Sequence, residues 1–182
     1  MQAHRPGWCG YTRRVRFAIR EARLADAEGI ARAHTASWRT SYRGILPEAV
    51  LAQIDIDQRA ASWRRTLQDR SMLTLVAYDV THQDIIGLCD AGPSRRDPGM
   101  GEVYRMYLEH HARRHGLGRE MFEQITAWLR ARELRSLIIW VLDNNHHARR
   151  FYEAMGGRAG QRVASSVSGF PVVELAYVWE RL

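Results

Sequence analysis

The residues Leu137-Ile-Ile-Trp-Val-Leu142 form an unbroken apolar run bounded by polar residues on both sides. A strand with one wet face alternates apolar and polar residues, so a run without alternation reads as a strand buried on both faces. Apolar elements must then cover each face, and the flanking segments supply them. Upstream, Leu117, Met121, Ile125 and Trp128 recur at spacings of four, four and three, the stripe of a helix over about 117–131. Downstream, Asn145 to Met155 reads as a second helix, ended by Gly156-Gly157. With a further strand at Glu102–Leu108, these segments place the chain in the mixed α/β class.

The rest of the chain extends the same pattern. Arg16 to Glu21 alternates, as a half-buried strand does, and Asp26 to Ser41 is helical, with Ile30, Ala33 and Ser37 on one side. Gly44 offers a left-handed cap to that helix, and two short helices follow, from Pro47 and over about 57–67. Leu73–Tyr78 and Ile85–Cys89 are strands joined by a polar turn, and Gly92–Gly101 reads as a glycine- and proline-rich surface loop. Two last strands, around 161–167 and 172–179, flank a turn at Ser168–Pro171. No segment repeats, so residues 16–182 read as one domain after a polar leader over 1–15.

All 27 basic residues are arginine, and the formal charge is +7. Arginine carries permanent charge on a forked donor suited to phosphate, which fits nucleic acid or a phosphorylated cofactor equally. The arginines are dispersed over predicted helices and strands rather than gathered in a nucleic-acid motif, which counts against that partner. Cys9 and Cys89 lie far apart and read as free thiols of a reducing compartment, so the expected location is cytoplasmic. No apolar stretch is long enough for a membrane-spanning helix, so no membrane partner is expected. The adjacent pairs His110-His111 and His146-His147, with His115, complete no metal-ligand spacing, and no metal is expected.

The chemistry concentrates at Arg113-Arg-His-Gly-Leu-Gly118, between the 102–108 strand and the 117–131 helix. A helix start leaves backbone N–H groups unpaired and partially positive. Gly116 and Gly118 carry no Cβ, so a pyrophosphate can approach those groups, and Arg113, Arg114 and Arg119 stand alongside. This segment resembles the R/Q-x-x-G-x-G/A motif of the GCN5-related N-acetyltransferase (GNAT) family. Asn145-His-His-Ala-Arg-Arg-Phe-Tyr-Glu-Ala-Met-Gly156 is similar to the N-x-x-A-x-x-F-Y-E-x-x-G segment of the same family. Two motifs in that order and separation are specific together. Arg43-Gly-Ile-Leu-Pro47, after Ser37-Trp38, resembles a subset with a substrate-side helix at this position. His110 stands where the family often has Pro, and Gly157 where an aromatic is common.

The resemblance implies a mostly antiparallel sheet of about seven strands flanked by helices, splayed between the fourth and fifth. Acetyl-CoA would lie in that opening, held by Met106, Tyr107, Leu108, Arg113, Arg114, His115, Gly116, Leu117, Gly118, Arg119, Asn145 and Tyr152. The implied reaction is direct transfer of acetyl to a primary amine, with Tyr152 as the acid for the departing thiolate. Glu102 is the candidate base, directly or through water; it reads equally as an exposed carboxylate at a strand edge. Asn145 can cap its own helix while binding pantetheine. Trp38 and Tyr42, four apart, line the acceptor pocket or belong to the core. Cys89 lies in an apolar strand and reads as packing rather than a nucleophile. The acceptor is expected to be a small-molecule amine; a protein N-terminus or lysine is the alternative, and a non-catalytic CoA-binding or nucleic-acid-binding domain the alternative of another class. The exposed end strands can pair two chains into a homodimer.

Overall fold

The computed structural model describes residues 16–97 and 99–182. The leader over 1–15, with Cys9, lies outside the described residues. The strands are β1 (Phe17–Glu21), β2 (Leu73–Asp79), β3 (Ile85–Pro93), β4 (Gly101–Leu108), β5 (Leu137–Leu142), β6 (Arg158–Val167) and β7 (Phe170–Trp179). The helices are α1 (Ala27–Tyr42), α2 (Glu48–Ala52), α3 (Ile56–Gln68), α4 (Leu117–Ala131) and α5 (His146–Ala154). All seven strands share one sheet in the order β1-β2-β3-β4-β5-β7-β6, and only the β4–β5 pair is parallel. The GNAT-like mixed sheet implied by the sequence is the one observed.

Two cores lie on opposite faces. On one, the α4 stripe of Met121, Ile125 and Leu129, all fully buried, packs against Cys89, Val103, Ile139 and Leu175 of the sheet. On the other, Ile30 of α1 and Trp63 of α3 cover Val76 and Leu88. Leu137–Leu142 is thus covered as its unbroken hydrophobicity requires, with Trp140 the one partly exposed member. A smaller cluster joins Leu46, Val50 and Leu51, around α2, to Leu142, with Val167 and Val172 of the β6–β7 hairpin against it.

The chain departs from its expected outline in two loops. β3 runs on to Pro93, with Gly92 opposite Glu102 and Pro93 opposite Gly101, so the expected 92–101 loop shortens. The β6–β7 turn is tighter than the expected four residues: Ser168 and Gly169 take φ of 48° and 80°, and Phe170 and Pro171 already belong to β7. Two consecutive left-handed residues make a turn whose twist matches that of the flanking strands.

The feature that positions the site is the brevity of the β4–β5 ladder. Only Gly101↔Leu137, Glu102↔Ile138 and Val103↔Ile139 pair, although β4 continues to Leu108 and β5 to Leu142. Between β3 and β4 the register shifts: Asp90 faces Arg105 while Ala91 faces Val103, leaving Tyr104 as an extra residue. Such a bulge bends its strand and increases the twist, so β4 turns away from β5 just where their pairing ends. At the closed end, a Cβ on Gly101 would stand 2.8 Å from a Leu129 methyl, so glycine lets α4 seat directly against the join. Ile125 is fully buried in the core that α4 brings to the sheet. Ile125→Ala should therefore cost about 2–5 kcal/mol of stability in urea unfolding; a loss below ~1 kcal/mol would show that α4 is not anchored by this face.

Candidate active site

Beyond Val103 the diverging strands enclose a cavity of about 670 Å³ that reaches the start of α4, the face of α5 and the end of α1. At the α4 start, the first intrahelical bond is from Glu120 N–H to the Gly116 carbonyl. The N–H groups of Leu117, Gly118 and Arg119 precede it, and Gly116 supplies no side-chain cap. Gly116 takes φ +85°, and nothing lies within 4 Å of where its Cβ would be. Arg114 also holds a left-handed φ of 64°, a conformation costing a non-glycine residue about 1–2 kcal/mol. An open, cationic, unpaired helix start of this kind is fitted to an anion. Arg113, Arg114 and Arg119 line it, and α5 adds His147 and Arg150. Burial first, then the charges of Arg113, Arg150, Arg114 and His110, hold the His147 imidazole below its usual range, which keeps it neutral.

The edge of β4 facing the opening is readable from its register. Glu109 N–H donates to the Ile86 carbonyl at 2.9 Å, which makes Gly87↔Leu108 a non-hydrogen-bonded pair. By alternation, Tyr107 bonds to Leu88, while Met106 and Leu108 turn their backbone groups away from β3 and into the gap. The Leu108 carbonyl is met there by Arg113 Nε at 3.1 Å, and Arg113 also donates to Ser41 Oγ at 3.2 Å, tying the α4 loop to the end of α1.

Tyr152 projects from α5 into this cavity, packed beside Tyr177 and Trp179 with ring centroids 6.0 and 6.3 Å away. Burial, with smaller contributions from Cys89 and Tyr42, pushes its phenol far above the usual range, so it is protonated at neutral pH. Asn145 caps α5, its Oδ1 accepting from Ala148 N–H at 3.2 Å, and lines the cavity as well. Phe151 closes the cradle from the α5 side: a Cβ on Gly118 would stand 3.2 Å from its ring.

The opposite wall, toward α1 and α3, is aromatic and cationic. The Tyr42 and Tyr107 hydroxyls lie 3.2 Å apart, and Tyr107 stacks at 4.9 Å on His34. His34 is buried, and desolvation, then Arg59 and Arg105, pulls its pKa down to about 2. The neutral ring accepts from Trp63 Nε1–H at 3.3 Å. Arg105 lies over Trp63 at 3.7 Å and reaches both oxygens of Asp90, which is fully buried. Burial raises the Asp90 carboxyl, with Arg105 working against that rise.

Most of the residues singled out from sequence meet at this cavity, but four do not line it. Glu102 lies in the paired, closed part of β4, and its carboxylate accepts from Ser94 Oγ at 2.9 Å and Arg95 N–H at 3.3 Å. The His115 ring packs edge-on against Phe17 at 5.1 Å. Leu117 is buried in the core and can offer only its backbone N–H. Trp38 stands one layer back, edge-on to Tyr42 at 5.1 Å. Tyr107 lines the cavity, but its side chain joins the aromatic wall rather than the cradle. Cys89 is a free, fully buried thiol that desolvation holds protonated, so its reading as packing fits. Sequence reasoning missed His147, Arg150 and Phe151, although their spacing of three and four on α5 places them on one face. It also missed Arg105, whose partner Asp90 becomes visible only once β3 and β4 pair.

The acetyltransferase (GNAT) family matches residues 30–157, a span that takes in the cavity-lining ends of α1, β4, α4, β5 and α5. The chain belongs to this family, and it is an acyltransferase. The N-acetyltransferase YuaI of Bacillus subtilis, itself uncharacterized, is 28% identical over 169 residues, covering 90% of this chain and 93% of that one. Among solved structures, the PaiA N-acetyltransferase of Thermoplasma acidophilum, in complex with coenzyme A, superposes with a TM-score of 0.70 at 16% identity, covering 88% of this chain and 98% of that one. An N-acetyltransferase of Staphylococcus aureus gives 0.69 at 17% identity, with coverage of 91% and 98%.

Removing Arg105 would leave the Asp90 carboxylate buried and unpaired. Arg105→Ala should lower stability by about 3–5 kcal/mol, and adding Asp90→Ala should recover part of the loss. Equal stability of the single variant and the parent in denaturant melts would show that the pair is dispensable.

Proposed function

We propose that this acyltransferase moves the acetyl group of acetyl-CoA directly to the primary amine of a small molecule. The observation that carries this reading is the opening between β4 and β5, with unpaired backbone donors along one strand and an anion-binding helix start at its mouth. The coenzyme A complex of the PaiA relative supports it. A small molecule is favoured as the acceptor over an extended peptide, as the α2 region packs across to Leu142 and the β6–β7 hairpin.

When bound, acetyl-CoA supplies the acetyl group as a thioester. The Leu117, Gly118 and Arg119 N–H groups, with Arg113, Arg114 and Arg150, hold its pyrophosphate. Met106 and Leu108 offer backbone groups to the pantetheine, with Asn145 beside them. A Met106 N–H directed at the thioester carbonyl would stabilise charge developing there, where loss of one donor in comparable sites costs about 3–4 kcal/mol. The amine nitrogen bonds to the carbonyl carbon as the carbon–sulfur bond breaks. Tyr152 then gives its phenolic proton to the departing thiolate. An alkyl amine with pKa near ~10.4 arrives mostly protonated and must lose that proton first. Among the described residues no carboxylate lines the cavity, so Glu102 serves as base only through intervening water.

Acetyl-CoA at about 100 times its Kd should stabilise the protein by ~2.7 kcal/mol, seen as a rise in Tm; no shift at millimolar ligand removes the cradle. Tyr152→Phe should lower kcat on the order of 100-fold while keeping that shift, and an unchanged kcat would end its role as acid. Glu102→Gln should lower kcat/KM on the order of 100-fold. A parent-like value would leave Glu102 a purely structural partner of Ser94.

A further inference from the structure

The cavity passes through the gap in the sheet, and its two halves differ in chemistry. The half on the α4–α5 side holds the cradle, while Thr40, Tyr42, Arg105, Tyr107 and Trp140 line the half toward α1. Arg105 and Tyr107 stand there against Trp63 and His34, and Trp140 alternates with Ile139 and Val141 of the α4 core. Arg105 is the only charged residue of these five, and it is a cation. No Asp or Glu lines the cavity among the described residues, and residues 1–15 and Pro98 contain none. The carboxylates behind this wall are already matched: Asp90 pairs with Arg105, Glu174 with Arg96 at 3.3 Å, and Glu102 accepts from Ser94 and Arg95. The rings offer an ammonium no free substitute. Arg96 lies over Trp140 at 4.1 Å, and Arg95 over Tyr104, beside Arg105, at 4.6 Å, so cations already hold a face of each. The wall does offer hydrogen bonds without charge. The Tyr42 and Tyr107 hydroxyls, 3.2 Å apart, use one O–H between them and leave the other O–H and oxygen lone pairs for a ligand.

An ammonium moved from water into such a site loses its hydration and gains no counter-charge. Resting on the proposed amine acetylation, we infer that the acceptor binds as the uncharged amine, and is therefore a weakly basic amine on an aromatic body, an arylamine or an α-amino amide, rather than an alkylammonium. At pH 7 only about 1 in 2,500 molecules of an alkyl amine with pKa ~10.4 is neutral, against roughly 1 in 10 for an α-amino group near ~8. The flat body lies among the Tyr42, Tyr107 and Trp140 rings, and the nitrogen donates an N–H to the phenol pair. Such an amine has no proton to lose beforehand. Its nitrogen bonds to the thioester carbonyl carbon as the carbon–sulfur bond breaks, and Tyr152 protonates the thiolate. The nitrogen sheds one proton through water to Glu102 as the amide forms, and solvent restores the phenol.

The test is titration calorimetry on the full chain loaded with CoA, which carries no acetyl group and so separates binding from turnover. The probes each carry one phenyl ring: phenethylamine, its alcohol 2-phenylethanol, phenylalaninamide and p-toluidine. The Kd of phenethylamine should fall about tenfold per pH unit from about pH 6.5 to about 8.5, as its neutral fraction grows. Those of p-toluidine and 2-phenylethanol should stay level, and at pH 7 phenylalaninamide should bind on the order of 100-fold tighter than phenethylamine. Thr40 is exposed at the cavity, and its hydroxyl donates to the Ala36 carbonyl of its own helix. Thr40→Asp supplies the missing carboxylate there, and should level the phenethylamine slope and lower its Kd at pH 7. A pH-independent phenethylamine Kd, tighter binding of phenethylamine than of its alcohol at pH 7, a slope unchanged in Thr40→Asp, or no binding of any probe overturns the inference. Those results leave the transferase reading standing while acetyl-CoA binds and any amine is acetylated; no acetylated product from any amine would remove that reading too.

Discussion

The short ladder between β4 and β5 is the constraint on which the rest of this structure depends. Parallel neighbours normally stay paired along their length because each unpaired N–H and carbonyl in a protein interior costs free energy. Here the extra residue at Tyr104 turns β4 aside after Val103, and the backbone groups of Met106 and Leu108 are left facing a gap. Their satisfaction then falls to something outside the sheet. Arg113 meets one of them, at the Leu108 carbonyl. The others, with the open start of α4, present a surface that complements an extended ligand with an amide-bearing arm and a phosphate end. The closed end of the gap has to be rigid for this to work, and Gly101 secures it by letting Leu129 sit against the join.

Charge is distributed in two territories around that gap. The cradle gathers Arg113, Arg114, Arg119 and Arg150 around unpaired helix N–H groups, where phosphate oxygens would offset them. The α1–α3 wall sets Arg105 over the Trp63 ring, with Asp90 buried beneath it. Arginine suits both places. It keeps its charge when partly desolvated, and its flat face packs on indole and phenol rings as Arg105 does on Trp63. Lysine, which is absent from this chain, would lose charge more readily on burial. The overall charge of +7 is thus less informative than where individual guanidinium groups lack a partner.

Buried neutral groups hold these territories apart. His34 is held neutral by burial and by the arginines near it, so it accepts from Trp63 and adds no further charge. Tyr107 reaches Tyr42 on the same wall, and burial keeps its phenol protonated. Tyr152, from the other side of the gap, is likewise kept protonated. The cavity is therefore lined by proton donors and fixed cations, with the carboxylates set back from it.

The sequence by itself determined the elements and their covering. The unbroken apolar run Leu137–Leu142, the stripe of α4 at a period of 3.6 and the glycine-terminated α5 are local patterns that are read without a distant partner. The open helix start at Arg113–Gly118 was legible for the same reason: it is one contiguous turn whose backbone exposure follows from its own residues. What only the tertiary structure decided is how residues distant in the chain meet. Glu102 reads as a free carboxylate in sequence, yet strand register sets it opposite Ile138, and the returning loop brings Ser94 to its carboxylate. His115 sits inside the cradle motif, yet its ring turns to Phe17, nearly a hundred residues earlier in the chain. Arg105 and Asp90 come from β4 and β3, and nothing in their spacing shows that the two will pair in the interior. Local pattern fixes which face of an element is apolar, but only packing fixes which charges lose their water together, and that decides which of them require a partner.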